Sequence, residues 1–137
     1  MKIKIYFSSF YIISIFLILH FPFSYENSII IKVHQKNYGR MELIKYGNRN
    51  CPSRINDGYN DNYSTDKCNP DIANGDHTLT LFWGDNDKLW DLSYMFEGQD
   101  TITEVNLYYL TPENINNMKA MFKNCKNLKK VTLPYII

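Results

Sequence analysis

Two similar segments, repeated at one constant offset, constrain this chain more than any other feature of its 137-residue sequence. The first unit, LSYMFEGQDTITEVNL at 92–107, resembles the second unit, MKAMFKNCKNLKKVTL at 118–133. Met95-Phe96 recurs as Met121-Phe122, a period of 26, and the other apolar positions follow at the same offset. Since the units of a repeat architecture bury their apolar faces against one another, a fixed period of this size predicts stacked repeats.

The spacing inside each unit predicts a short helix, a turn and a strand. Val131 and Leu133 alternate, which is typical of a strand with one buried face. Four earlier positions stand at i, i+3, i+4 and i+7, the spacing of one helical face: Met118, Met121, Phe122 and Cys125. The predicted repeat core combines the apolar positions of both units: Leu92, Met95, Phe96, Ile102, Val105, Leu107, Met118, Met121, Phe122, Cys125, Leu128, Val131 and Leu133.

The region 25–90 is predicted to be a β-rich N-terminal cap with a long polar loop. The segment SIIIKV at 28–33 is rich in β-branched residues, and RMELIKY at 40–46 alternates, so the two are predicted to form a hairpin. The segment HTLTLFW at 77–83 alternates as well and predicts another strand. Between them, the segment 47–76 is rich in Asn, Asp, Gly and Ser and predicts a loop.

The segment 1–24 is predicted to be a secretory signal peptide. Lys2 and Lys4 precede a charge-free run at 5–19, which is typical in length of a signal peptide and short for a membrane span. An uncleaved signal anchor is the alternative, and only that alternative predicts a membrane association. The formal net charge of +1 gives no indication of a nucleic-acid partner.

The cysteines and the polar loop predict two modifications of a secreted chain. Cys51 and Cys68 flank the loop and are the natural disulfide pair in an oxidising compartment. Asn62 begins the sequon Asn-Tyr-Ser and is a candidate glycosylation site. A zinc site made of Cys51, Cys68 and His77, or a calcium site in the acidic loop, is a weaker alternative because neither spacing fits a known pattern. Cys125 is interpreted as an inert core thiol, since no His lies in either unit to act as its base.

At the two units the sequence resembles a known family. YMFEGQDTITEVNL and AMFKNCKNLKKVTL are similar to the MF-x-x-C-x-x-L-x-x-L-x-L unit of BspA-like leucine-rich repeat proteins of bacteria and protists. The resemblance covers about residues 78–137. It implies a leucine-rich-repeat solenoid, extracellular exposure, and adhesion or partner binding without catalysis. The fold class expected from the sequence is thus an α/β repeat, a short solenoid at 91–137 preceded by the β region.

The sequence predicts a non-catalytic interaction protein, secreted or displayed on a cell surface. It contains no phosphate-binding, dinucleotide-binding, serine-hydrolase or zinc-protease motif, and no cofactor is expected. The expected partner is an unidentified protein or cell-surface ligand, with Tyr108 and Tyr109 as the candidate contact surface. The second unit is apolar and has no polar outer cap. We therefore expect either further repeat units in a longer protein or self-association of the chain through this unit. The alternative in another class is a small secreted enzyme or toxin on residues 28–83, to be tested at His34, Asp57, Asp61 and His77.

Overall fold

The computed structural model describes residues 27–44, 51–58, 68–84, 89–111 and 115–134. These residues form seven β-strands and no helix. The strands are β1 (Asn27–Gln35), β2 (Gly39–Arg40), β3 (Arg54–Asn56), β4 (Asp71–Ile72), β5 (Gly75–Trp83), β6 (Ile102–Asn106) and β7 (Lys130–Thr132). The signal-peptide prediction for the segment 1–24 and the sequon at Asn62 lie outside the described residues.

A mixed five-stranded sheet in the order β3-β5-β1-β6-β7 forms one layer of the molecule. Strand β1 lies in the middle and pairs antiparallel with β5 on one side and with β6 on the other. Strand β7 pairs parallel with β6 and stands at the edge of the sheet. The predicted hairpin between 28–33 and 40–46 is wrong, because β1 pairs with β5 and β6, and residues 41–44 run beside the chain at Cys68 and Pro70 instead.

The hydrophobic core lies on one face of this sheet. Alternate residues of β1 and β5 point into it, as the period of two in their sequences requires. A second layer covers that face and consists of the small β2–β4 sheet, residues 41–44 and the apolar residues in the turns of the two units. The core members contributed by the strands of the large sheet are Ile29, Ile31, Val33, Ile55, Leu79, Leu81, Trp83, Ile102 and Val105.

The segments predicted to be helical are series of tight turns, so the predicted α/β leucine-rich solenoid is wrong. In the first unit the N–H groups of Met95, Glu97 and Gln99 each donate to the carbonyl three positions earlier. The second unit repeats this pattern at the equivalent residues. Tyr94 and Gly98 have φ of 58° and 77°, and their equivalents Ala120 and Asn124 have 54° and 61°. These left-handed residues interrupt any helix, because they stand at the third turn position, where a type II turn needs positive φ.

The sequence period is visible as the register between the two units. Glu104 pairs with Lys130, Val105 with Val131 and Asn106 with Thr132, so each residue of the first unit pairs with its own equivalent in the second. Asp91 and Asn117 form a parallel bridge with the same spacing. Phe96 and Phe122 stack with ring centroids 6.0 Å apart. The two units therefore lie side by side with equivalent residues in contact.

A β-bulge in β6 explains the irregular apolar spacing of the strand. Lys32 pairs with Glu104 and Val33 with Ile102, which leaves Thr103 as the extra residue. The Thr103 hydroxyl donates to the carbonyl of Lys32, and the Thr103 carbonyl accepts the N–H of Lys129. Ile102 and Val105, on either side of the bulge, consequently both reach the core.

Candidate interaction surface

The outer face of the second unit exposes apolar residues whose equivalents in the first unit are buried. Leu92, Val105 and Leu107 of the first unit are at most 1% exposed. Their equivalents Met118, Val131 and Leu133 are 37%, 36% and 64% exposed. The second unit covers the first, whereas no element among the described residues covers the second. An exposed apolar set of this kind is typical of a binding surface.

The other predicted core residues of the units follow the same division. Met95, Phe96 and Ile102 in the first unit are buried, and so is Met121 in the second. Phe122, Cys125 and Leu128 are partly buried and pack against the core from its outer side. The predicted repeat core is thus fully enclosed in the first unit and open on one side in the second.

The backbone of the second unit presents a row of hydrogen-bond donors on this outer face. In the first unit, the N–H groups of residues 92, 94, 96 and 98 donate to the carbonyls of residues 117, 119, 121 and 123. The equivalent N–H groups belong to Met118, Ala120, Phe122 and Asn124, and they have no acceptor within the described part of the chain. Together with the unpaired side of β7, these four groups form what is called here the outer edge. Unpaired backbone edges pair readily with another chain.

The two units carry opposite charges. The first unit contains three acidic residues and no basic one, while the second contains five lysines and no acidic residue. Glu97 Oε1 lies 3.1 Å from Lys123 Nζ, and Asp100 Oδ2 lies 3.4 Å from Lys126 Nζ. All five lysines, at 119, 123, 126, 129 and 130, are exposed. The lysines at 119, 129 and 130 have no ion pair within the described residues, so the second unit keeps an excess of positive charge beside its apolar outer edge.

This charge pattern was missed in the sequence, although the offset of 26 could have revealed it. Each acidic residue of the first unit has a lysine at the equivalent place in the second: Glu97 and Lys123, Asp100 and Lys126, Glu104 and Lys130. Applying the period to polar as well as apolar positions would have predicted an ion-pair ladder between the units.

Two aspartates are stabilised in their charged form at the junction of the units. The backbone N–H of Lys126 donates to Asp100 Oδ1 over 3.2 Å, and this bond is the main cause that lowers the pKa of Asp100. The positive charge of Lys126 lowers it further. Asp91 accepts hydrogen bonds from the side chain and backbone of Ser93, which lower its pKa in the same direction. Both carboxylates thus tie the backbone of the turns while remaining ionised.

The position and contacts of Cys125 are those of a structural thiol. Its Sγ donates to the Phe96 carbonyl over 2.9 Å, which links the second unit to the first. Partial burial raises its pKa, and the carboxylates of Asp100 and Glu97 raise it further. A thiol with a raised pKa is a poor nucleophile, because the thiolate is the reactive form.

Tyr108 and Tyr109, the candidate contact residues, lie on the turn that follows β6. Both side chains are exposed, and their rings meet edge to face with centroids 5.2 Å apart. Asn106 Oδ1 accepts the N–H of Tyr108 over 2.9 Å and fixes the start of the turn. The pair presents aromatic surface at one end of the sheet, and its role in binding stays a prediction.

A polar groove of about 960 Å³ lies where β1, β5 and the two units meet. His34 Nδ1 lies 2.7 Å from Asp76 Oδ1 along this groove, and these side chains are 55% and 88% exposed. Lys32 pairs with Glu104 at 3.1 Å on the same surface. The charged side chains along the groove are thus paired with one another. Because they are exposed to water, each of these ion pairs is screened and contributes little to stability.

The other residues proposed for an enzymatic site are only partly brought together. His77 also lines the groove, and its Nε2 lies 3.0 Å from the Ala73 carbonyl. Asp57 does not line the groove, and Asp61 lies outside the described residues. The two histidines are therefore the only members of the predicted set that share this surface within the described part of the chain.

The disulfide prediction is confirmed, since Cys51 and Cys68 are bonded, with their Cα atoms 5.0 Å apart. Both sulfurs are thereby occupied, and the alternative zinc site with His77 is not formed. Within the described residues there is no cluster of three His, Cys, Asp or Glu side chains that could hold a metal ion. No helix that could cross a membrane occurs in those residues either.

Comparisons of the sequence with protein-family models and with curated proteins, and of the structure with solved structures, find no match.

Proposed function

We propose that this chain is a non-catalytic protein, secreted or held at a cell surface, that binds another protein or a cell-surface ligand through the outer edge of the second unit. The observation that carries the proposal is the difference between Leu107 and Leu133, equivalent residues of which one is fully buried and the other 64% exposed. The energy gained by covering such apolar residues is a general source of protein association.

Extracellular placement is supported by the disulfide and by the sequence before residue 25. The Cys51–Cys68 bond is of a kind that persists in oxidising compartments, and the charge-free run at 5–19 has the length of a signal peptide. The resemblance of the two units to BspA-like surface proteins favours the same role, and membership of that family stays a prediction. In the alternative with an uncleaved anchor, the same surface is displayed on a membrane; N-terminal sequencing of the released protein separates the two.

Selective loss of binding is the test. Labelled protein is applied to a panel of purified extracellular matrix and cell-surface proteins, as the wild type and as Leu133→Asp. We expect Leu133→Asp to lose binding, because it places a charge in the apolar contact. Tyr38→Asp is the matched control, since Tyr38 is an exposed aromatic outside the two units. Equal binding by all three proteins contradicts the proposal.

A second candidate is a small secreted enzyme or toxin built on residues 28–83. The observation that favours it is the groove, where Asp76 orients the His34 ring and His77 stands nearby. An Asp–His pair is one element of general base catalysis. His34→Ala separates the candidates: it removes the activity of an enzyme and leaves binding through the outer edge unchanged.

A further inference from the structure

The contact between the two units shows which chemical groups each unit presents to its neighbour. Seen from the first unit, the covering element supplies apolar residues, a row of carbonyl acceptors and a set of lysines. Seen from the second unit, the covered element supplies the same apolar positions and a set of carboxylates. The two sides are thus complementary both in charge and in backbone hydrogen bonding, since the first unit supplies the N–H donors and the second the carbonyl acceptors.

The outer edge of the second unit is equivalent to the side of the first unit that the second unit covers, but it has no partner among the described residues. It offers the four N–H donors of residues 118, 120, 122 and 124, the exposed apolar side chains of Met118, Val131 and Leu133, and one unpaired side of β7. Lys123 and Lys126 pair with carboxylates of the first unit, whereas the exposed lysines at 119, 129 and 130 have no ion pair within the described part of the chain. Successive N–H groups in a turn are themselves an electropositive feature that attracts anions.

We propose that the outer edge binds an acidic segment of a partner protein, which adds beside β7 as a further strand. This inference rests on the proposed function and names the partner's chemistry. The segment supplies carbonyls to the N–H row, apolar side chains to Val131 and Leu133, and carboxylates to the lysines. Main-chain hydrogen bonds then provide affinity and alternate side chains provide selectivity, as in other cases of strand addition.

A second copy of this chain is the competing occupant, and the charges disfavour it. Two outer edges brought together would place Lys129 and Lys130 of one copy against the same lysines of the other. Like charges on directly facing strands are destabilising. An acidic segment meets these lysines with opposite charge, as Glu97 and Asp100 meet other lysines of the second unit on the inner side.

The chain supplies its own probe. Residues 100–111, DTITEVNLYYLT, include the strand that already lies against the inner side of β7, with Asp100 facing Lys126 and Glu104 facing Lys130. A synthetic peptide of this sequence is compared with the same peptide carrying Asp100→Lys and Glu104→Lys. Binding of each fluorescent peptide to the full chain is measured by anisotropy at two salt concentrations.

We expect the acidic peptide to bind roughly fivefold or more tightly than the charge-reversed one, with the difference shrinking at high salt, since each exposed ion pair is worth little alone. Lys129→Gln/Lys130→Gln should weaken binding of the acidic peptide by a similar factor, and Leu133→Asp should weaken binding of both peptides. Lys32→Gln/Lys36→Gln removes the same number of charges away from the edge and should change nothing. Urea unfolding of each variant verifies that it is folded.

Four results overturn the inference. These are equal affinity for the two peptides, binding of neither peptide, full affinity of Lys129→Gln/Lys130→Gln for the acidic peptide, and a concentration-dependent dimer in sedimentation that Leu133→Asp abolishes. If the peptides fail while Leu133→Asp loses binding to the extracellular protein panel, only the acidic-partner inference falls. If the panel does not distinguish Leu133→Asp from the wild type, the proposed function falls.

Discussion

Glu97 and Lys123 occupy equivalent positions in the two units, and their side chains meet at 3.1 Å. Glu97 is the more enclosed partner, with a side chain 12% exposed against 57% for Lys123. The pair lies on the line where the two series of turns adjoin, beside the hydrogen bond from Gly98 N–H to the Lys123 carbonyl. It is shorter and more enclosed than the Asp100–Lys126 pair between the same units.

A double-mutant cycle measures that dependence. Glu97→Gln and Lys123→Met, alone and combined, should give a coupling free energy of about 0.5–1 kcal/mol in urea unfolding, at the upper end for exposed pairs because Glu97 is partly enclosed. The Asp100–Lys126 pair is the control: it is longer, at 3.4 Å, and more exposed, so its coupling should be smaller. A coupling that is zero, or larger in the control, would show that the charges do not hold the units together.

The two equivalent phenylalanines give a direct comparison of the inner and outer units. Phe96→Ala should lower the free energy of unfolding by about 3–5 kcal/mol, the usual cost of deleting a buried aromatic residue. Phe122→Ala should cost roughly half as much, because its ring stacks on Phe96 but is only partly buried. Thermal and urea unfolding provide the measurement. Equal losses would mean that the outer side of Phe122 is covered in solution.

Gly98 and Gly39 separate backbone strain from side-chain space. An added Cβ would meet nothing within 4 Å at either position, but Gly98 has a φ of 77°. Gly98→Ala should therefore destabilise the protein by about 1 kcal/mol, since a left-handed conformation is unfavourable for Ala. Gly39→Ala should be neutral or stabilise by up to about 1 kcal/mol, through the unfolded state. The free energies of unfolding of the two variants, measured in urea, test this prediction. Equal destabilisation by the two substitutions would argue against backbone strain at residue 98.

The lowered pKa of Asp100 gives a prediction for acid. In the folded protein the pKa of Asp100 lies below the ordinary value of 3.8. Ionised Asp100 therefore stabilises the fold fully when the pH is above 3.8, and this stabilisation is lost as the pH falls through the pKa of the folded state. Asp100→Asn should consequently reduce the loss of stability between about pH 5 and pH 2. Because the Lys126 N–H is the leading cause, Lys126→Met should leave the pKa of Asp100 below 3.8 in an NMR titration of the carboxylate. A return to the ordinary value would assign the effect to the charge of Lys126 instead.

The strands with a strict period of two were predictable, and those without one were not. The β-branched run at 28–33 and the alternation at 77–83 correspond to β1 and β5. Strands β3 and β4 lie inside the predicted loop 47–76, because elements this short cannot show alternation. The hairpin prediction failed because it assumed that strands adjacent in sequence pair with each other. In the structure β1 pairs with β6, which lies far along the chain.

The helix prediction failed because its spacing has two physical meanings. Positions i, i+3, i+4 and i+7 lie on one face of a helix, but consecutive tight turns can bring the same positions to one side. Tyr94 and Ala120 give no hint of positive φ, since neither residue favours it. Gly98 and Asn124 do favour it, and their separation by exactly one repeat period was the available signal for a turn. In the structure the period corresponds to a strand register, because equivalent residues of the two units pair directly.

The outer edge presents backbone N–H donors without matching carbonyls, and this restricts the symmetry of any dimer that could form through it. A two-fold dimer places the same surface patch on both subunits, so a residue of one copy faces its counterpart or near neighbours in the other. Across such an axis through the outer edge, the donors of residues 118, 120, 122 and 124 would meet donors, and backbone N–H groups need carbonyls. Any contact made through this edge would therefore have to be heterologous, with a different surface, rich in carbonyl acceptors, facing the N–H donors.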